Sequence, residues 1–267
     1  MSDAASLLLA AEIKACCAQV YASDAVRLLV GESLHPGGTA LTAHLAELMG
    51  ITSDSTVLDV ACGRGVSAVH LAQTVGCRVI GVDYSTANVA AARQAAEVSG
   101  VGARCTFVEG DAESLALEDH SVDAVVCECA LCTFPNKPRA VAEFARVARP
   151  GGRVGITDVT STGHLPGLED LLAWIACIAD ARSVDEYQGL LHGAAFHTDV
   201  IEDHSGALIR LIDTVRARLV IGTAVLSPAA VEAAGWDLRQ AGAMAEAAVI
   251  AVRSGDLGYT LITAHLP

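Results

Sequence analysis

Aromatic side chains are scarce in this chain: two Trp, four Tyr and four Phe make up 4% of 267 residues. A core without aromatic anchors must be filled by Ala, Val, Leu and Ile. Hydrophobic residues at 52% supply enough of them for layered helices and strands in one large domain. That composition excludes intrinsic disorder. Basic residues are also few. Against 31 Asp and Glu, 17 Lys and Arg leave a formal net charge of −14, the wrong sign for neutralising phosphates, so nucleic acid is not expected as a partner. Long apolar runs are missing too. Leu171–Ala179 and Leu219–Val225 stop well short of the roughly 18 residues needed to span a bilayer, so no membrane partner is expected either. The start, MSDAASLLLAAEIKACC, has neither the basic beginning nor the small-residue cleavage site of an export signal, which predicts a cytoplasmic protein.

Cysteine, by contrast, is abundant: Cys16, Cys17, Cys62, Cys77, Cys105, Cys127, Cys129, Cys132 and Cys177. An odd count without an export signal does not fit a disulfide-stapled scaffold. In a reducing compartment each thiol is either a small buried hydrophobe or a soft ligand or nucleophile, and position decides which.

From Ser55 to Thr160 short β-type runs alternate with helical ones, which predicts a parallel sheet covered on both faces. The strands are expected at Thr56–Ala61, Arg78–Asp83, Cys105–Glu109, Ala124–Glu128 and Gly152–Asp158, with helices over Thr86–Val98 and Lys137–Ala148. Residues 1–50 read as an N-terminal helical cap broken at His35-Pro36-Gly37-Gly38, and 51–160 as the core. Residues 161–267 read as helices of a substrate lid together with strands that close the same sheet. Helical patterns fall there at Gly167–Ala181, Val184–Ala194, Ala207–Gly222 and Pro228–Val252, and strand patterns at Thr198–Asp203 and Tyr259–His265.

The most informative motif is VLDVACGRG, Val57–Gly65, ending the first strand and opening a helix. Gly63 and Gly65 permit a tight turn and close backbone approach to a ligand at a helix N-terminus. Asp83, at the end of the second strand, is placed to accept ribose hydroxyls. Gly110-Asp111-Ala112 follows the third strand, where a carboxylate can accept from an exocyclic amine. The glycine spacing alone also admits a dinucleotide.

In order and at element ends, these motifs resemble those of the class I S-adenosylmethionine-dependent methyltransferases over about Ser55–Thr160. The resemblance implies a doubly wound α/β fold with a seven-stranded, mostly parallel, Rossmann-like sheet and S-adenosylmethionine as cofactor. It implies cofactor contacts at Asp59, Ala61, Gly63, Gly65, Asp83, Tyr84, Asp111, Ala112 and Glu128. Cys62 departs from the pattern, standing where Gly is frequent.

A second resemblance is more specific. ECALCTFPNKPRAVAEFARVARPGG looks like a stretch of the arsenite methyltransferases in which a cysteine before a Pro-Asp/Asn-Lys turn binds trivalent arsenic; that position is Cys129. The run around Trp174–Ala179 with Tyr187 and Leu190-Leu191 places a second such cysteine at Cys177. On this resemblance Cys129 and Cys177 are the catalytic residues, with Cys132 as a further metalloid ligand and Cys16 or Cys17 as an alternative third thiol. Soft thiolates suit a soft acceptor; zinc is the rival, but the cysteine pairs of a structural zinc site do not recur. Period-2 alternation places Cys127 and Cys129 on one face if the strand continues. His35, His120, His164, His192, His197 and His204 show no ligand spacing and read as surface or capping residues. Other acceptors stay open: carbon or oxygen of a small organic metabolite, with His35 or Glu128 as base, or a thiol-rich metalloid binder without catalysis. The expected partner is a small molecule or metalloid, and the chain a monomer or homodimer.

Overall fold

The apolar run TVLDV forms β1 (Thr56–Val60), buried at every residue because it is flanked by strands on both edges and covered on both faces. The computed structural model describes residues 3–23, 27–28, 30–31, 33–163, 165, 168, 178, 180–225 and 238–267. Around β1 lie β2 (Arg78–Asp83), β3 (Cys105–Glu109), β4 (Val122–Glu128), β5 (Ala148–Ser161), β6 (His197–Asp203) and β7 (Leu257–His265), in the order β3-β2-β1-β4-β5-β7-β6. Strands β1 to β5 pair in parallel, and β7 runs antiparallel to both β5 and β6. This is the expected seven-stranded sheet. It starts β5 earlier than Gly152, because Ala148 already pairs with Val122 across a register shift.

Among the described residues the main helices in chain order are α1 (Asp3–Tyr21), α2 (Gly38–Leu48), α3 (Val66–Thr74), α4 (Thr86–Val98), α5 (Lys137–Val147), α6 (Val184–Gly193), α7 (Ser205–Val225) and α8 (Leu238–Ser254). Their starts follow local chemistry. Ser85 caps α4 by accepting from the Asn88 N–H, and Asn136 caps α5, with Pro138 in its first turn. Ser183 and Glu186 close a reciprocal capping box on α6, and each such cap contributes about 1 kcal/mol. The helix expected over Gly167–Ala181 falls mainly outside the described residues, as does the first part of the one expected over Pro228–Val252.

Neighbouring residues of β1 point to opposite faces, so Val57 joins one apolar cluster with Leu45, Leu71, Phe107 and Tyr259. Leu58 joins another with Phe144, Tyr187 and Leu191. Between β1 and β4 the chain reverses its direction of travel across the sheet. The carboxyl ends of these two strands therefore splay apart and leave a crevice, where open α/β sheets bind ligands.

Candidate active site

The floor of that crevice is the turn from β1 into α3. Ala61, Gly63 and Gly65 all take positive φ, at 56°, 53° and 80°. No atom lies within 4 Å of where a Gly63 Cβ would sit, so that glycine leaves open space. Gly65 serves packing instead: its Cβ would meet Ala92 Cβ at 2.9 Å and Phe107 Cζ at 3.1 Å. Cys62 fits for a related reason. Its Sγ lies 2.8 Å from where a Cβ on Gly81 would stand, so the thiol fills the room that glycine leaves. Burial pushes the Cys62 thiol well up and keeps it neutral.

Carboxylates ring the floor. Asp83 is held by three donors: the Gly63 N–H at 2.8 Å, the Ser85 N–H at 2.9 Å and the Asn88 Nδ2 at 3.2 Å. Burial still raises its carboxyl above the ordinary range. Asp59 is raised well above that range, first by burial and then by the charges of Glu128 and Asp83, and its Oδ2 is buried without a partner. Glu128, ending β4, accepts at one oxygen from Thr42 Oγ1 at 2.9 Å and Ser67 Oγ at 2.7 Å; its other oxygen is buried and unpartnered. Asp111, after β3, accepts from Lys14 Nζ of α1 at both carboxylate oxygens, at 3.0 and 2.8 Å, and from the Glu113 N–H at 2.9 Å, and the same ammonium donates to the Glu113 carboxylate at 2.6 Å. Burial opposes the Lys14 charge, but these bonds outweigh it and raise its pKa.

Among the described residues three thiols line the cleft: Cys17 on α1, Cys62, and Cys129 just beyond β4. Strand β4 ends at Glu128, and Cys129 adopts φ 52° while its N–H donates to the Thr157 carbonyl at 2.6 Å. The period-2 expectation is therefore corrected. Cys127 is buried in the cluster under α5 and α6, whereas Cys129 packs toward the opposite cluster, which holds Tyr259. Cys132 is 1% exposed in that same cluster and does not line the cleft. Cys177 lies outside the described residues.

Asp59, Ala61, Gly63, Asp83, Tyr84, Asp111, Ala112 and Glu128 all line the one cleft; Gly65 stands at the N-terminus of α3. Sequence reading missed Lys14, Thr42, Ser67 and Asn88. The first three reach their carboxylates across 97, 86 and 61 residues of chain, and no local spacing signals such contacts. His35 also lines the cleft, its Nε2 3.4 Å from Ser67 Oγ and 3.6 Å from Glu128 Oε2.

The donor set suits a cationic nucleoside. Asp59 and Glu128 each carry an unpartnered buried oxygen toward which a positive group would be drawn, and Gly63 leaves backbone open beside them.

Known proteins agree. A methyltransferase domain model matches residues 58–156. The 27-O-demethylrifamycin SV methyltransferase of Amycolatopsis mediterranei is 30% identical over 199 residues, covering 68% of this chain and 73% of that protein. An arsenite methyltransferase of Halobacterium salinarum is 34% identical over 145 residues, 53% of this chain but only 37% of that one. The cyclase SpnF superposes with a TM-score of 0.75 at 22% identity, covering 91% of each chain, which is a likeness of fold alone. With two thirds of its length aligned to a methyltransferase and the family's cofactor motifs gathered in one cleft, this chain belongs to the class I S-adenosylmethionine-dependent methyltransferases.

Proposed function

We propose that the acceptor methylated by this enzyme is a thiophilic small species, trivalent arsenic, held by Cys129. The observation that carries this reading is the backbone of Cys129: a non-glycine residue at φ 52° costs on the order of 1–3 kcal/mol, and such strain concentrates at working positions. Here the left-handed turn brings Cys129 to the cleft that Cys17 of α1 also lines. When bound, S-adenosylmethionine supplies an electrophilic methyl on a sulfonium, whose carbon–sulfur electron pair returns to sulfur as the acceptor's lone pair forms the new bond. The chain's part is positional. Asp83 and the Gly63 turn fix the donor side, Cys129 fixes the acceptor side, and no proton has to leave an acceptor that attacks through a lone pair.

A second reading is favoured by one specific arrangement. His35, Ser67, Thr42 and Glu128 form a buried polar cluster on the cleft, which would suit a base for an organic hydroxyl, as the 27-O-demethylrifamycin relative suggests.

The two readings separate in one experiment that follows S-adenosylhomocysteine formation with arsenite and glutathione in wild type, Cys129→Ser and His35→Gln. The metalloid reading expects arsenite-dependent turnover that falls at least about a hundredfold in Cys129→Ser, close to 3 kcal/mol, and survives in His35→Gln. Full turnover in Cys129→Ser would overturn it.

A further inference from the structure

His204, one of the histidines without ligand spacing along the chain, meets a histidine and a glutamate from other parts of the sequence in space. His44, on α2, and Glu202 and His204, at the carboxyl end of β6, present three ligand atoms that all lie within 4.8 Å of one another. Glu202 Oε2 is 2.7 Å from His44 Nε2 and 3.0 Å from His204 Nε2, and the two rings meet edge to face with centroids 6.1 Å apart. All three residues are partly exposed, so an ion can reach them from solvent.

We propose that His44, Glu202 and His204 form a binding site for a divalent transition-metal ion of the zinc and cobalt class. Two imidazole nitrogens and a carboxylate oxygen are the donors such ions take, and three protein ligands leave a position for water. Ligand atoms around such an ion stand about 3.3 Å apart at bonds of about 2.0–2.1 Å. The carboxylate–imidazole separations therefore need to open by about 0.6 Å at His44 and about 0.3 Å at His204. Coordination uses each neutral imidazole in the tautomer with its single ring proton on Nδ1, so that the Nε2 lone pair faces the ion. The site joins the edge strand β6 to α2, the helix whose Thr42 donates to Glu128 in the cleft. A bound ion would thereby hold one wall of the active site.

The test adds cobalt(II) to the full chain and reads its visible absorption, because nitrogen and oxygen ligands give ligand-field bands without the thiolate charge-transfer band that the cysteines would produce. The expected result is thiolate-free absorption saturating at one equivalent and weakened at least about tenfold in His44→Gln and in His204→Gln. His265→Gln, at the opposite end of β6 where His265 pairs with Asp199, serves as a control and should bind as wild type does. Circular dichroism checks that each variant is folded. No cobalt bound by wild type, thiolate charge transfer alone, or binding unchanged in both His44→Gln and His204→Gln would each overturn the proposal.

Discussion

Asp59 stands at the centre of the electrostatics of the cleft. Its carboxyl is raised by burial and by Glu128 and Asp83, and Asp83 is itself raised. A carboxyl raised in the folded state keeps its proton to higher pH than it does unfolded, so ionising it as pH rises costs the free protein stability. A cationic ligand gains most once these groups are ionised. S-adenosylmethionine should accordingly bind more tightly, with a larger rise in Tm, at about pH 8 than at about pH 5; a pH-independent shift would count against carboxylates that wait for a cation. Asp83→Asn keeps the shape but puts an amide where the Gly63 and Ser85 N–H groups donate. Calorimetry should show affinity for S-adenosylmethionine down at least about tenfold, or 1.4 kcal/mol.

At the scale of elements, α1 and the β1–α3 turn carry the testable claims. Helix α1 is tied over the cleft by Lys14 to Asp111 and Glu113. Lys14→Ala should free its N-terminal segment, seen as faster cleavage before Gly37 in limited proteolysis while the sheet core resists. Gly65→Ala forces a Cβ against Ala92 and Phe107 at a φ of 80°. Overpacking of this kind costs about 1–3 kcal/mol, to be read from the urea midpoint. The strands were legible in the sequence because burial on both faces makes β1 and β4 continuous apolar runs. The acidic residues at strand ends were legible because each closes its own element in order. The face that Cys129 takes was not: alternation assumes the strand goes on, and β4 stops one residue earlier. Nor were Thr42 with Glu128 or His44 with Glu202, which lie 86 and 158 residues apart and meet only once α2 docks on the sheet.

For the whole molecule, topology determines where chemistry can occur. The reversal between β1 and β4 opens one crevice, and four strands deliver acidic ends or flanking acidic residues to it: Asp59 and Asp83, Asp111 and Glu128. The same sheet, extended by β7 and β6, carries the histidine–glutamate cluster on its far edge. Among the described residues no helix is long and apolar enough to cross a membrane. The fold shared with SpnF does not by itself select an acceptor; under the proposed function, Cys129 at the cleft would do so. The most direct measurement follows an isotopically labelled methyl group from S-adenosylmethionine, with arsenite and glutathione present, into products separated by mass spectrometry. The account predicts label on arsenic in wild type and its loss in Cys129→Ser. Label recovered only on an organic acceptor, with none on arsenic, would contradict it.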